Sequence, residues 1–294
     1  MPSDLIAITG CTGYVGGRVA ALLSGEGVPL RLVARRPSEV ASGLEGEVVY
    51  GDYGDGKAMV EAFRGASTVF LVSGREHRDR LAQHRTAVEA AAEAGADRVV
   101  YLSFLDASPD STFVLGRQHY HTEQRIHETG LGYVFLRDSL YADVFPYFVG
   151  GDGVLRAPAG DGQVSLVARD DVADAAAAVL VTDRYDGSAL DITGPEALTL
   201  GEAAERLGRF VGRPIPYEEE TEEEAYRSRS VYGAPDWEVE GWVTSFLAIA
   251  NGEIARVSDA VPSVTGHPAR RLDDVLSQHP ELYRHLTEPG SDPG

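Results

Sequence analysis

The residues with the clearest capacity for chemistry are the glycines of an N-terminal loop. Gly10, Gly13 and Gly16 follow the apolar residues 5–9, and an amphipathic segment begins at residue 15. Glycines allow a tight turn and a close approach of the backbone to phosphate, and the new helix presents unpaired N–H groups. A glycine triplet alone is as typical of an ordinary turn, but this order of strand, turn and helix predicts a site for a dinucleotide pyrophosphate. The residues predicted to contact the dinucleotide here are Thr9, Gly10, Thr12, Gly13, Tyr14, Val15 and Gly16.

Two arginines at the end of the second apolar segment are candidates for selecting the dinucleotide. Arg35 and Arg36 lie 19 and 20 residues after Gly16. An acidic residue at this place binds the ribose 2′-hydroxyl of NAD, whereas an arginine accommodates the 2′-phosphate of NADP. The planar guanidinium also bonds two phosphate oxygens at once. The spacing therefore predicts NADPH as the cofactor, the alternative being that both arginines are surface charges.

The glycine loop reads G-x-x-G-x-x-G after a threonine, which resembles the short-chain dehydrogenase/reductase superfamily in its extended and atypical branches. This resemblance implies that the residues after the third and fourth strands also border the cofactor. Asp52 and Tyr53 are then expected near the adenine, and Val72, Ser73 and Gly74 beside a ribose. For Asp52, a turn-forming role is the alternative.

The catalytic positions of that superfamily are only partly filled. Its usual members carry a serine after the fifth strand and Tyr-x-x-x-Lys on the next helix, where the lysine lowers the pKa of the tyrosine. Ser103 fills the serine position, but His119 and Glu123 stand one helical turn apart at the expected place of the second motif. Such a pair is also common on helix surfaces.

The helix motif H-x-x-T-E at 119–123, the segment 128–137 and the late segment 265–272 resemble the NmrA-like branch, in particular its bacterial NADPH:quinone oxidoreductases. The resemblance covers most of the chain. It implies direct hydride transfer from NADPH to a quinone or related aromatic carbonyl, without flavin or metal. Ser103, His119 and Glu123 are then the catalytic candidates, with Ser103 also at the cofactor. His119 would orient or protonate the substrate oxygen, and Glu123 would orient the imidazole or the nicotinamide ribose.

Aromatic residues after the sixth apolar segment suit a flat, apolar pocket, although core packing explains each of them equally well. The residues predicted to line a substrate pocket are Phe104, Tyr120, Tyr141, Phe145 and Phe148. A metal site is not predicted, because His119 and His121 face different parts of their helix and Cys11 is the only cysteine.

The elements that must position these residues alternate between strand and helix. Apolar strands are predicted at 5–9, 30–34, 47–50, 68–72, 98–102 and 132–136, with helices at 15–24, 56–64, 78–94 and 117–129. Later strands are predicted at 164–168, 189–193 and 214–217, and later helices at 171–181, 199–211 and 270–278. This alternation predicts an α/β fold, a doubly wound parallel sheet of the NAD(P)-binding Rossmann type. Such sheets bind ligands beyond the carboxyl ends of their strands.

The predicted organisation is a Rossmann domain over residues 1–195 and a smaller, mostly helical lobe over residues 196–294. An excursion near 138–162 is expected to contribute to the substrate pocket. The acidic block 218–224 is predicted to be a solvated helix face or loop, and the tail 288–294 is predicted to fray.

Composition restricts the partners and the setting. The 294 residues carry a formal net charge of −20, which disfavours nucleic acid. No segment approaches the roughly 18 apolar residues of a membrane span, and no signal peptide is predicted. The lone Cys11 indicates a reduced, cytoplasmic setting. The expected partner is a small-molecule substrate, and a homodimer stays open.

Two function classes remain. One is an NADPH-dependent reductase of a quinone or related aromatic carbonyl, or of an enone, imine or polyketide-derived intermediate. The other is a regulatory protein that senses NADP(H) without turnover. The missing Tyr-x-x-x-Lys motif favours the sensor, whereas the aromatic residues and His119 favour the reductase.

Overall fold

The computed structural model describes residues 4–287, in which strands and helices alternate along the first half of the chain. The strands are β1 (Ile6–Thr9), β2 (Leu30–Ala34), β3 (Glu47–Tyr50), β4 (Thr68–Leu71), β5 (Arg98–Phe104), β6 (Gly132–Asp138), β7 (Leu155–Ala157), β8 (Gln163–Val164), β9 (Ser188–Ile192), β10 (Leu198–Thr199) and β11 (Tyr217–Glu219). The helices are α1 (Tyr14–Gly25), α2 (Gly56–Phe63), α3 (Arg80–Glu93), α4 (Val114–Thr129), α5 (Arg169–Leu180), α6 (Leu200–Val211), α7 (Glu222–Arg229), α8 (Asp236–Ala250), α9 (Ala260–Thr265), α10 (Leu272–Gln278) and α11 (Arg284–Thr287).

Seven of the strands within residues 4–287 form one sheet, in the order β3-β2-β1-β4-β5-β6-β9. The neighbouring pairs from β3 to β6 are parallel. Every residue of β1 and β4 is buried, which explains why three of the four residues in each strand are apolar. The chain order reverses at β1, so the loops after β1 and β4 flank the crevice in which such sheets bind ligands. The predicted doubly wound Rossmann fold is confirmed.

The chain divides into two units. The first unit contains the chain through Pro109, together with Gln118–Asp138 and Val172–Asp191. The second unit contains Asp110–Arg117, Ser139–Asp171 and the chain from Ile192 onward. The domain boundary at residue 195 stays a prediction.

The second unit is mostly helical, with two small sheets. β7 pairs with β11 in parallel, and β8 pairs with β10 in antiparallel fashion. α6 begins with a capping box formed by Thr199 and Glu202, and it ends at Gly212, whose φ of 83° is the left-handed conformation that glycine favours.

The acidic block 218–224 has three structural roles, and the prediction of a helix face or loop is wrong for Glu218 and Glu219, which form the exposed end of strand β11. Glu222, Glu223 and Glu224 form the first turn of α7, where negative charge is favourable at the positive end of the helix dipole. Glu220, in contrast, is buried and pairs with Arg229 at 2.8 Å. The prediction of a solvated block is therefore wrong for Glu220, whose partner lies nine residues further along the chain.

The shorter strands of the second unit differ from the prediction. The strand predicted at 164–168 is only Gln163–Val164, and the one predicted at 214–217 begins at Tyr217. Pro214 and Pro216 precede this residue, and proline has no N–H to donate to a sheet. No helix between residues 4 and 287 has the length and apolar composition that a membrane span requires. The tail 288–294 lies outside the described residues.

Candidate functional site

The loop between β1 and α1 has the close packing that its glycines predict. Gly10 adopts a φ of 64°, and its carbonyl accepts a hydrogen bond from the Gly13 N–H at 2.9 Å. A Cβ atom on Gly16 would lie only 2.4 Å from the Gly10 carbonyl oxygen, so no larger residue fits there. Gly13 precedes α1 without a side-chain cap, which leaves the first turn of the helix open to an anion.

Some of the predicted contact residues of this loop are exposed to solvent, and the others are buried. Thr12, Gly13 and Tyr14 are exposed, as is Gly10. Thr9 is buried, and its hydroxyl donates to the Phe70 carbonyl oxygen at 3.0 Å. Val15 and Gly16 are also buried. Thr9 thus supports the sheet beneath the loop.

Arg35 and Arg36 are both exposed directly after β2. Arg36 pairs with Glu39 at 2.9 Å. Arg35 makes no ion pair within residues 4–287. The two neighbouring guanidiniums therefore differ in how much of their charge is available to a ligand.

Asp52 and Tyr53, which follow β3, form hydrogen bonds with other parts of the protein. Asp52 accepts a hydrogen bond from the Gly54 N–H at 2.8 Å through its Oδ1 atom, which is a turn-forming contact. The Tyr53 hydroxyl lies 2.6 Å from Thr9 Oγ1 and 2.7 Å from the Val72 carbonyl oxygen. Burial raises the pKa of Tyr53, which keeps the phenol protonated.

Side chains anchor alternate residues of the loop after β4. The Val72 N–H donates to Thr9 Oγ1 at 2.9 Å, and the Val72 carbonyl accepts from Tyr53. The Gly74 N–H donates to His84 Nε2 at 2.8 Å, and the Gly74 carbonyl accepts from Arg80 Nε at 2.7 Å. Ser73, between these anchored residues, makes no hydrogen bond within residues 4–287.

Glu123 lies in a buried cluster with Ser103 and Arg137. The Ser103 hydroxyl donates to Glu123 Oε1 at 2.6 Å. Arg137 donates to both carboxylate oxygens, at 2.9 and 2.6 Å. Glu123 is 1% exposed. The cluster joins α4 to β5 and β6, and it occupies both oxygens of the carboxylate.

His119 lies in a second buried cluster, in which each ring nitrogen has a partner. Arg80 Nη2 donates to His119 Nε2 at 2.9 Å, and His119 Nδ1 lies 2.9 Å from the Tyr101 hydroxyl. Because a guanidinium only donates, Nε2 is the acceptor and Nδ1 carries the proton. Burial and the charge of Arg80 lower the pKa of His119 well below its usual range. His119 is therefore neutral.

His84 completes this cluster from α3. Its Nδ1 lies 3.0 Å from Thr122 Oγ1, while its Nε2 accepts from Gly74. Burial, followed by the charge of Arg80, also lowers the pKa of His84 well below its usual range. Arg80 is 2% exposed, makes no ion pair within residues 4–287, and additionally donates to Gln118 Oε1 at 3.1 Å.

The second unit contains an aromatic-lined cavity of about 530 Å³. Phe148 and Phe246 meet edge to face, with ring centroids 5.3 Å apart, and Tyr232 meets Trp242 in the same way at 6.2 Å. The remaining walls include Ser228, Ser245, Arg156 and Arg229.

Of the five predicted pocket residues, only Phe148 lines this cavity. Phe145 is fully buried and packs edge to face against Phe148 at 6.0 Å. Phe104 lies in the first unit, with its ring 6.1 Å from that of His119, and Tyr120 packs against His121. Tyr141 forms an isolated β-bridge with Val167.

A family model described as NAD(P)H-binding matches residues 10–183, which include the glycine loop and both buried clusters. The chain belongs to this NAD(P)H-binding family. An oxidoreductase of the NmrA-like family is among its relatives. The predicted family resemblance is confirmed.

Several proteins similar to this chain are named as reductases or oxidoreductases. A (4-alkanoyl-5-oxo-2,5-dihydrofuran-3-yl)methyl phosphate reductase of Streptomyces griseus is 34% identical over 287 residues, covering 95% of this chain and 99% of the relative. Quinone oxidoreductase 2 of Escherichia coli is 30% identical over 280 residues, covering 93% and 98%. A crystal structure of an NADPH-dependent quinone oxidoreductase from Escherichia coli, in complex with NADPH, superposes with a TM-score of 0.85 at 29% identity, covering 93% and 99%. The chain is an NAD(P)H-dependent oxidoreductase.

The first unit fits the dinucleotide that this family binds. The close backbone approach at Gly16 and the uncapped start of α1 form a surface suited to phosphate, which we call the phosphate cradle. Which side chains contact the cofactor stays a prediction.

Sequence reasoning missed Arg80, His84 and Arg137. A signal for the first two was present, because positions 80, 84, 87, 88 and 91 form one helical stripe, and all of them are buried. An arginine and a histidine on the apolar face of a helix indicate polar partners inside the protein.

Proposed function

We propose that this protein uses NADPH to reduce a quinone or a related aromatic carbonyl by direct hydride transfer. The observation that carries the proposal is the burial of Ser103, His119 and Glu123, whose polar atoms bond to other buried side chains. A neutral His119 with both nitrogens engaged is a poor proton donor to a substrate. The favoured acceptors are therefore those that need little acid assistance.

Quinones meet this requirement. When bound, NADPH supplies a hydride, and the quinone that takes it up becomes an aromatic hydroquinone anion that water can protonate. We propose that Ser103, His119 and Glu123 position the surrounding elements and do not exchange protons with the substrate. The similarity of this chain to quinone oxidoreductase 2 of Escherichia coli supports this substrate class.

NADPH is preferred to NADH in this proposal because of the free charge of Arg35. A 2′-phosphate is matched by a guanidinium, and Arg35 has no carboxylate partner within residues 4–287. Arg36 shares its charge with Glu39. The NADPH-bound quinone oxidoreductase of similar fold supports the same choice.

We further propose that the aromatic cavity of the second unit holds the substrate ring. Its volume lies within the range of small-molecule sites, and its walls combine aromatic faces with a few polar groups. Arg156 and Arg229 both pair with carboxylates, Asp152 and Glu220 respectively, so the lining favours an uncharged ring.

An enone is the second candidate substrate class. The Streptomyces griseus relative is named as the reductase of a dihydrofuran that carries a 5-oxo and a 4-alkanoyl group. The ring double bond of such a compound is conjugated with carbonyl groups, so its β carbon also accepts hydride.

The test is the consumption of NADPH, followed by absorbance, with a benzoquinone, a naphthoquinone, an acyl butenolide and a simple ketone. We expect rapid oxidation with a quinone and little with the ketone. Faster turnover of the butenolide would select the enone class. Tight NADPH binding without consumption across the panel would overturn the reductase proposal.

A further inference from the structure

We propose that Arg80 and His84 are positioning residues for dinucleotide binding. By fixing both main-chain polar groups of Gly74, they hold the loop after β4 so that Ser73 is presented to the cofactor. This inference rests on the NADPH binding of the proposed function and is independent of the quinone substrate.

The location of the loop is the first argument. A Cβ atom on Gly10 would lie 2.9 Å from Val72 Cβ, so the loop after β4 packs against the glycine loop. The two loops follow adjacent strands at the place where the order of the sheet reverses. Ligands of open α/β sheets bind at this point. Ser73 is therefore next to the phosphate cradle.

The hydrogen bonds of the loop are the second argument. The N–H and carbonyl groups of Val72 bond to Thr9 and Tyr53, and those of Gly74 bond to His84 and Arg80. Four protein side chains thus occupy the polar groups on either side of Ser73. The main-chain groups and hydroxyl of Ser73 have no partner within residues 4–287. Polar groups of this kind at a ligand-binding edge are available to the ligand.

The support behind the two anchors is the third argument. Arg80 also donates to Gln118 Oε1 and His119 Nε2, and His84 contacts Thr122 Oγ1. All three of these partners are on α4. A displacement of α3 or α4 would therefore pull on Gly74, which makes the position of the loop dependent on both helices.

The character of Arg80 is the fourth argument. Glu76 and Asp138 act on Arg80 only through longer-range charge, because Arg80 makes no ion pair within residues 4–287. A buried guanidinium without a carboxylate in direct contact is costly, and an apolar side chain of similar shape would serve a purely structural role better. Its shortest contact, at 2.7 Å, is with a loop carbonyl at the edge where ligands bind. The cost is explained if the loop must be held in one conformation before the dinucleotide arrives.

The experiment measures the dissociation constant of NADPH by fluorescence titration without substrate, together with the thermal midpoint of each variant. Arg80→Met and His84→Leu remove the contacts with Gly74, whereas His84→Gln retains an acceptor. Arg85→Met is the matched control, because Arg85 is on the same helix but exposed and paired with Glu89. We expect Arg80→Met and His84→Leu to raise the dissociation constant about tenfold, since a buried polar group loses its partner. His84→Gln should restore most of the affinity, and Arg85→Met should bind as the wild type does.

The outcomes separate this inference from the proposed function. If the folded His84→Leu and His84→Gln variants bind NADPH equally well, or if Arg80→Met changes only the thermal midpoint, the inference is overturned. If Arg80→Met does not fold, the His84 pair decides alone. Failure of the wild-type protein to bind NADPH would overturn the proposed function and this inference with it.

Discussion

Arg35 and Arg36 follow the same strand, but only Arg36 has an ion-pair partner within residues 4–287, Glu39 at 2.9 Å. A phosphate that approaches Arg36 must compete with this carboxylate. Arg35 offers its full charge and both edges of its guanidinium. The difference lies in tertiary contacts, since the two residues are adjacent and identical in type.

The first prediction concerns this pair. Arg35→Ala should raise the dissociation constant of NADPH about tenfold, because a charge-assisted bond to the 2′-phosphate is lost. NADH has no such phosphate, so its dissociation constant should change little. Arg36→Ala is the control and should have the smaller effect on NADPH. Equal losses for NADPH and NADH in Arg35→Ala would contradict the assignment.

The second prediction concerns Glu123. Removing one partner of a buried ion pair costs roughly 3–5 kcal/mol, and the partial exposure of Arg137 lowers this to about 2–4 kcal/mol. Glu123→Ala should therefore reduce the free energy of unfolding by this amount, measured in urea. Glu223→Ala removes an exposed i, i+4 partner of Arg227 and should cost less than about 0.5 kcal/mol. Similar losses of unfolding free energy in both variants would show that the buried ion pair stabilises the fold no more than the exposed one does.

At the scale of elements, α3 and α4 meet through histidines that must stay neutral. His84 faces Arg80 on its own helix, Tyr101 on β5 and His119 on α4, and burial lowers the pKa of both histidines. Protonation of His84 would place an N–H against the Gly74 N–H and a second cation beside Arg80. The neutral form is thus required for the helices, the sheet and the loop to fit together.

The third prediction follows from linkage. The pKa of a histidine in the unfolded chain is about 6.5, whereas the pKa values of His84 and His119 in the folded protein lie well below it. Above this pH neither state gains a proton, so stability is unaffected by these groups. As the pH falls below about 6.5, the unfolded state binds protons first, and each histidine costs up to about 1.4 kcal/mol per pH unit. Urea unfolding between neutral and mildly acidic pH should show this loss, and His84→Gln should make the slope shallower. An unchanged slope in that variant would contradict the prediction.

The elements also show where sequence reasoning succeeds. The strands β1 to β6 and the glycine loop could be predicted because their signals are local: buried apolar runs, and glycines at a turn. The prolines at 214 and 216 are a local signal too, and they explain why the strand predicted at 214–217 begins only at Tyr217. The anchoring of Gly74 could not be predicted in this way. Its donors and acceptors lie on different elements, and only the packed fold brings them within hydrogen-bond distance.

At the scale of the whole molecule, the proposed tasks fall in different units. The glycine loop, Arg35 and the loop after β4 belong to the first unit, and the aromatic cavity belongs to the second. Substitutions in the cavity should therefore change the KM for the substrate and leave the dissociation constant of the dinucleotide unchanged. A raised KM with an unchanged dissociation constant would distinguish a substrate cavity from aromatic packing that only stabilises the second unit.

The fourth prediction concerns Phe148, which lines the aromatic cavity of the second unit. Phe148→Ala should raise the KM for a naphthoquinone several-fold, because a ring in contact with the substrate contributes about 0.5–1.5 kcal/mol. The dissociation constant of NADPH should stay at the wild-type value. Val231→Ala is the control, because this side chain is 79% exposed and does not line the cavity.

Fluorescence provides an independent measurement of the same contact. Trp242 lines the cavity and Trp237 does not, and these are the two tryptophans of the chain. Naphthoquinone should quench the emission of the Trp237→Phe variant, in which Trp242 remains, and have a much smaller effect on Trp242→Phe. Equal quenching in both variants, or an unchanged KM in Phe148→Ala, would place the substrate ring outside the cavity.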